Sequence, residues 1–168
     1  MSRPAPPHPA PILTLSEVER RVRRLRRARG RRPRVVLANG LFDLMHVGHL
    51  RYLQGARRHG DVLLVALNDD ASARRLRGPG RPLVPARDRA RLVASVRGVE
   101  AVLLFGGRTV GRVLRRLRPD VHCKGTDYTP RTVPERDIVH AYGGSVRVVG
   151  GPKRHAVTSL LRRIAGAR

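Results

Sequence analysis

Residues 34–49 read RVVLANGLFDLMHVGH and join an apolar run to the start of a helix-like stretch. The run Val35–Ala38 is short, continuous and apolar, which is typical of a strand buried on both faces of a parallel sheet. Gly40 follows it, where glycine permits a tight turn and a close approach of the backbone. A helix is predicted next, over Val47–His59. Such a strand–turn–helix unit places a ligand site beyond the carboxyl end of the strand.

Four further apolar runs of strand length alternate with helical stretches along the rest of the chain. The predicted strands are Val62–Leu67, Val99–Phe105, Val121–Cys123 and Val146–Val149, and the predicted helices are Ala86–Val96, Thr109–Leu117, Arg131–Tyr142 and Thr158–Ala165. This alternation predicts an α/β fold, a Rossmann-like doubly wound parallel sheet of five strands with helices on both faces.

The N-terminal part divides into a Pro-rich segment and an Arg-rich helix. Residues 1–13 are expected to be a flexible leader, and residues 14–168 a single domain. Ser16 and Glu19 have the spacing of a capping box, and Gly30 ends the predicted helix. Ten arginines lie between positions 20 and 34. They favour an amphipathic helix with a solvated basic face, while a site for an anionic partner stays open.

The amino-acid composition limits the classes of function that the protein can have. The chain has 168 residues and a net charge of +24, and 34 of its 36 basic residues are Arg. Aromatic residues make up 3%, fewer than a single-strand nucleic-acid binder normally offers for base stacking. A coding bias toward Arg explains the charge equally well, so the composition does not favour nucleic acid as a partner. One cysteine excludes an internal disulfide framework, and no apolar run is long enough for a membrane span. A cytoplasmic protein is expected.

His46 and His49 stand three residues apart at the predicted start of the second helix. That spacing puts both rings on one helical face, near free N–H groups and a partial positive charge that suit a phosphate. Gly48 leaves room there for a phosphate or an adenine. Two imidazoles donating to a phosphorane-like transition state contribute about 3 kcal/mol for each well-placed donor. A zinc site is rejected because the spacing is HxxH and no glutamate lies nearby. Metal ligands stay unassigned.

The stretch NGLFDLMHVGH resembles the signature of the HxGH nucleotidyltransferases, the cytidylyltransferase-like group. Three further segments, in order and spacing, are similar to its D-glycero-β-D-manno-heptose 1-phosphate adenylyltransferase branch, which occurs alone or as the C-terminal half of bifunctional ADP-heptose synthesis proteins. They are VALNDDASARRLRGPGRPLVPARDRARLVASV (65–96), DVHCKGTDY (120–128) and HAVTSLLRRI (155–164). The resemblance covers roughly residues 12–165 and implies the HUP-type nucleotidyltransferase fold.

The resemblance also implies residue roles. His46 and His49 would bind the nucleotide phosphates and stabilise charge on the α-phosphate, and Lys124 would reach the triphosphate or the incoming phosphate. The implied nucleotide site comprises Asn39, Gly40, Phe42, Asp43, Gly48, Arg81, Thr158 and Ser159. Residues 68–82, after the predicted strand Val62–Leu67, resemble the family's sugar-phosphate-binding loop. The implied sugar-phosphate site comprises Asn68, Asp70, Arg77, Asp127 and Tyr128.

The chain departs from the family pattern before its last predicted helix. Ala156 and Val157 replace two hydroxyl residues that the family uses to bind phosphate, while Thr158 and Ser159 keep theirs. Leu41 and Ala38 also replace smaller or hydroxyl-bearing residues. Losing several neutral hydrogen bonds at roughly 1 kcal/mol each weakens nucleotide binding without abolishing it.

The expected activity is transfer of AMP from ATP, with Mg²⁺ on its phosphates, to a sugar 1-phosphate. The favoured acceptor is D-glycero-β-D-manno-heptose 1-phosphate, which yields ADP-heptose and pyrophosphate. Three alternatives stay open: a cytidylyltransferase for glycerol 3-phosphate or a similar polyol phosphate, a basic nucleic-acid-binding protein with a vestigial nucleotide site, and an ATP-sensing module. A homodimer is compatible with the resemblance.

Overall fold

The computed structural model describes residues 8–28 and 30–151, which form six strands and six helices. The strands are β1 (Ile12–Leu13), β2 (Val35–Gly40), β3 (Val62–Asn68), β4 (Val99–Phe105), β5 (Val121–Gly125) and β6 (Ser145–Val149). The helices are α1 (Leu15–Arg27), α2 (Val47–Arg57), α3 (Asp70–Arg77), α4 (Ala86–Ala94), α5 (Gly111–Leu117) and α6 (Arg136–Ala141).

The strands form one parallel sheet in the order β1-β4-β3-β2-β5-β6. The chain moves outward from β2 through β3 to β4, and then crosses back to place β5 on the other side of β2. The strand order therefore reverses between β2 and β5. In open α/β sheets, ligands bind at the carboxyl ends of the two strands flanking such a reversal.

Helices cover both faces of the sheet, which confirms the predicted doubly wound architecture. One core layer lies under α2 and α4 and includes Leu53 and Val93. The other lies under α1, α5 and α6 and includes Val22, Leu114 and Val139. The central strand β3 is buried along its whole length, which explains its continuous apolar sequence.

The N-terminal predictions need two corrections. The sheet has six strands rather than five, because Ile12 and Leu13 at the end of the expected leader pair with β4. Two residues are too few to show strand periodicity in a sequence. The capping box of α1 is formed by Thr14 and Glu17, not by Ser16 and Glu19: the Thr14 hydroxyl accepts from the Glu17 N–H at 3.3 Å, and the Glu17 carboxylate accepts from the Thr14 N–H at 2.7 Å.

The helix predictions need correction at two further places. Residues 70–77, interpreted as part of a binding loop, form the helix α3. Asp69 caps it by accepting from the Ser72 N–H at 2.7 Å, and Gly78 ends it with a φ of 89°. The helix predicted from Arg131 begins only at Arg136, and the helix predicted over Thr158–Ala165 lies outside the described residues.

Two arginines of α1 connect this helix to the rest of the domain. Arg21 binds the buried carboxylate of Glu100 on β4. Arg26 donates to the carbonyl groups of Leu117 and Arg118 at the end of α5. The burial of Val18 and Val22, with other arginines of the helix exposed, supports the interpretation of α1 as an amphipathic helix with a basic outer face. In the described part of the chain, no helix has the length and apolar character needed to cross a membrane.

Candidate active site

The reversal point between β2 and β5 is closed by one tyrosine of α2. The paired register of the two strands ends at Ala38 and Cys123. Beyond it, the buried hydroxyl of Tyr52 donates to the Cys123 carbonyl at 2.7 Å and accepts from the Asn39 N–H at 3.1 Å. Tyr52 therefore fixes the separation of the two strands where they diverge, and it holds Asn39 at the edge of the crevice.

The turn after β2 contains two left-handed residues, Phe42 (φ 53°) and Leu44 (φ 52°). This conformation costs about 1 kcal/mol or more for a residue other than glycine. The Phe42 ring offsets that cost because it is buried against Tyr52 and His49, with ring centroids 6.3 and 5.3 Å away. Gly40 does not supply the left-handed conformation. Its missing side chain makes room for Phe42 instead, since a Cβ there would lie 3.2 Å from the ring.

Asp43 connects this turn to the loop between α3 and α4. Its buried carboxylate accepts from the backbone N–H groups of Leu83 and Val84 at 3.0 Å each, and from the Arg81 guanidinium at 3.1 Å. Burial works to raise the Asp43 pKa, but these hydrogen bonds and the charge of Arg81 hold it below its ordinary value. Asp43 therefore shapes the loop that carries Arg81.

The two histidines cap α2 with their rings. The His46 Nδ1 accepts from the Gly48 N–H at 3.0 Å, and the His49 Nδ1 accepts from the His46 N–H at 3.4 Å. A neutral imidazole that accepts at Nδ1 carries its hydrogen on Nε2. The hydrogen bonds thus assign both rings as Nε2–H donors, and their centroids lie 4.1 Å apart.

The environment of His49 keeps its ring neutral near pH 7. Burial first, and then the neighbouring charge of His46, lower the His49 pKa to about 4. A neutral Nε2–H adjoins the positive end of α2, where an anion is also favoured by the helix dipole. Two Nε2–H donors side by side at a helix N-terminus suit the non-bridging oxygens of a phosphate.

Lys124 ends in the same crevice from the side of β5. Its ammonium lies 3.3 Å from the Asn39 Oδ1 and 4.7 Å from the centre of the Tyr128 ring. It also lies 3.6 Å from the Glu135 Oε2. The side chain is buried, and burial lowers its pKa while Glu135 acts to raise it. Asn39 and Tyr52 thus link Lys124 to the helix that carries both histidines.

The residues predicted to bind the sugar phosphate do not all converge. Asn68 is buried at the end of β3 and donates to the Ser72 hydroxyl at 3.3 Å. Asp70 accepts from the Ala86 N–H at 2.8 Å and thereby joins α3 to α4. Arg77 and Asp127 are exposed, and Tyr128 lies against Lys124. Asn68 and Asp70 thus have structural partners of their own. Thr158 and Ser159 lie outside the described residues.

Two buried charged residues were not predicted as part of this region. Arg89 is fully buried and donates to the carbonyl groups of Leu41 and Val84 and to the Asp70 carboxylate, 2.7 Å from its Nη2. Glu135 is 3% exposed beside Lys124. In the sequence, the pair Asp88–Arg89 resembles an acidic-Arg pair of the family and equally an ordinary charged helix start, so only tertiary structure reveals the contacts of the arginine.

The described residues contain no group of three or more His, Cys, Asp or Glu side chains arranged to hold a metal ion.

Comparison with known proteins matches both the sequence and the fold. A family model described as cytidylyltransferase-like matches residues 37–159. The bifunctional protein HldE of Syntrophotalea carbinolica is 44% identical over 152 residues, which cover 90% of this chain and 31% of that protein. The HldE protein of Pseudomonas syringae pv. syringae is 44% identical over 139 residues, or 83% of this chain and 29% of that protein. This chain therefore spans less than a third of the length of these relatives.

Two solved structures share the fold. The lipopolysaccharide core biosynthesis protein of Thermoplasma volcanium has a TM-score of 0.58 and 24% identity, over 69% of this chain and 93% of that one. The pantoate-beta-alanine ligase of Francisella tularensis, complexed with beta-gamma ATP and beta-alanine, has a TM-score of 0.59 and 11% identity. The match covers 89% of this chain and 69% of that one. The matched residues 37–159 contain the β2/β5 crevice and its histidine pair, and the chain belongs to the cytidylyltransferase-like family of nucleotidyltransferases.

Proposed function

We propose that this protein transfers AMP from ATP to a sugar 1-phosphate, with D-glycero-β-D-manno-heptose 1-phosphate as the acceptor. The observation that carries the proposal is the pair of Nε2–H donors at the N-terminus of α2, beside the point where the strand order reverses. The choice of adenine and heptose rests on the resemblance of the segments 65–96 and 120–128 to heptose 1-phosphate adenylyltransferases.

The chemistry needs little beyond positioning and charge stabilisation. An oxygen of the sugar phosphate attacks the α-phosphorus of ATP, the bond from that phosphorus to the bridging oxygen breaks, and pyrophosphate leaves with the bond electrons. The attacking phosphate is already ionised near pH 7, so no general base is required. Mg²⁺ arrives as part of the MgATP substrate, bound by phosphate oxygens.

His46 and His49 donate to the α-phosphate as its negative charge increases in the transition state. Because the His49 ring is neutral, it donates without a net charge that would hold pyrophosphate after the reaction. Lys124 places a positive charge beside the crevice for the β- and γ-phosphates or the incoming phosphate. The net charge of +24 also raises the encounter rate with anionic substrates at low ionic strength.

Pyrophosphate release from ATP and from CTP, each with heptose 1-phosphate and with glycerol 3-phosphate, tests the proposal. We expect release with ATP and heptose 1-phosphate, and the product ADP-heptose in equal amount. A preference for CTP with glycerol 3-phosphate would assign the cytidylyltransferase alternative. No release with any pair would refute the proposal, and RNA binding that survives His46→Ala would then favour the nucleic-acid alternative.

A matched pair of histidine variants separates chemistry from folding. We expect His49→Ala to lower kcat by roughly 100-fold or more, as for the loss of one transition-state donor. His59 follows the C-terminal end of the same helix and lies away from the crevice. His59→Ala should leave kcat unchanged, and equal losses in the two variants would contradict the role of His49.

A further inference from the structure

Behind Lys124, the structure buries a carboxylate for which capping and packing give no reason. Glu135 occupies the N-cap position of α6, but its side chain makes no capping hydrogen bond. It turns inward to a position that is 3% exposed. A buried ion pair is a poor source of stability, because apolar residues of similar volume often stabilise a protein as well or better. Stability alone therefore does not explain why Glu135 is buried.

The carboxylate lies between two basic side chains of β5. Its Oε2 is 3.6 Å from the Lys124 Nζ and 3.7 Å from the His122 Nε2. His122 is fully buried, and its Nδ1 lies 3.3 Å from the Leu37 carbonyl oxygen. A carbonyl group only accepts, so Nδ1 carries a hydrogen. His122 is thus held in place, with its second nitrogen facing the carboxylate.

Glu135 is ionised in this position. Burial alone would raise its pKa, but the His122 ring and the Lys124 ammonium overcome that effect and hold the pKa at about 2. The same burial disfavours the charged form of Lys124. A permanent negative charge 3.6 Å away compensates for this desolvation.

We infer that Glu135 is a positioning residue whose carboxylate keeps the Lys124 side chain protonated and held beside Asn39 at the β2/β5 crevice. Asn39, Glu135 and the Tyr128 ring surround the ammonium from the neighbouring elements. The inference deepens the proposed function, on which it rests, because it says what keeps the phosphate-binding charge of Lys124 in place.

The chain offers a direct readout of the Lys124 charge. It contains two lysines, Lys124 and Lys153, so protein labelled with ¹³Cε-lysine gives two NMR signals, and Lys153→Arg assigns them. We expect Glu135→Gln to move the titration of the Lys124 signal to lower pH, since the compensating charge is lost. The matched control is Glu100→Gln, which removes another buried carboxylate paired with a cation, Arg21. Glu100 lies at the N-terminal end of β4, whereas the crevice lies at the carboxyl ends of the strands. The control substitution should leave the Lys124 titration unchanged.

Kinetics test whether Glu135 acts through Lys124. We expect Glu135→Gln to lower kcat/KM by about tenfold or more, because a buried ammonium without its charge partner loses part of its charge or its position. In a Lys124→Met background the same substitution should cost nothing further. Equal losses in both backgrounds, or an unmoved titration, would overturn the inference. If Glu135→Gln does not fold, Glu135→Asp withdraws the charge by one methylene and should give a smaller shift in the same direction, and no shift would again refute it.

Failure of the proposed function would look different. The wild-type protein would then release no pyrophosphate, while Glu135→Gln would still move the Lys124 titration. Failure of the Glu135 inference would leave wild-type turnover intact with an unmoved Lys124 signal.

Discussion

Replacing Tyr52 by Phe should destabilise the protein although it removes a single oxygen atom. That oxygen joins β2 to β5 through the Asn39 N–H and the Cys123 carbonyl. Its loss leaves the half-buried Asn39 N–H without this partner, which costs about 1–3 kcal/mol, and removes a donor from the buried Cys123 carbonyl. We expect a decrease in the free energy of unfolding of about 2–3 kcal/mol. For a domain of this size, that lowers Tm by roughly 5–10 °C.

The chain provides a matched control at its other buried tyrosine hydroxyl. The Tyr142 Oη is buried and makes no hydrogen bond to any described residue. Tyr142→Phe should therefore change the free energy of unfolding by less than about 0.5 kcal/mol, or increase it, because an unpaired polar atom is removed. Urea unfolding and calorimetry of both variants measure the contrast. Equal losses, or no loss for Tyr52→Phe, would refute the assignment of Tyr52 as the link between the strands.

Three further predictions concern the neighbouring charges. Because the His49 pKa falls to about 4 on folding, the unfolded chain binds protons more tightly than the folded protein between pH 4 and 6.5. The wild type should therefore lose stability as pH falls through that window. Urea unfolding should show a smaller loss for His49→Ala. Asp43→Asn should lower the free energy of unfolding by about 2 kcal/mol at pH 7 and raise the hydrogen-exchange rate of the Leu83 amide. The substitution removes the negative charge that strengthens the hydrogen bonds from Arg81 and from the Leu83 N–H. The lowered Asp43 pKa means that this difference should shrink as pH falls toward 3. Arg89→Met should cost about 3 kcal/mol in calorimetry, and an unchanged Tm would contradict its role as the link between the loops.

The strands and the histidine pair were predictable because their signals are local. Each central strand is a continuous apolar run, and the spacing of His46 and His49 places them on one helical turn whatever the rest of the chain does. The helix α3 also had a local signal, but its residues were interpreted as a loop because they resemble the family's sugar-phosphate-binding loop. Asp69 as N-cap and Gly78 at the end frame a helix of ordinary form.

The parts that escaped prediction depend on contacts between residues distant in sequence. Arg89 reaches the Leu41 carbonyl across 48 positions. Glu135 has the appearance of a helix-start residue, and its partnership with Lys124 follows from the packing of α6 against the sheet edge. The left-handed turn at Phe42 and Leu44 likewise has no signal in residue type, because burial of the ring stabilises it.

The most direct test of the account is a crystal structure of the protein with a non-hydrolysable ATP analogue. We predict that an α-phosphate oxygen lies about 3 Å from the Nε2 atoms of His46 and His49, and that Lys124 contacts the phosphates beyond it. Phosphates bound away from the N-terminus of α2, for example along the exposed arginines of α1, would contradict the placement of the active site in the β2/β5 crevice.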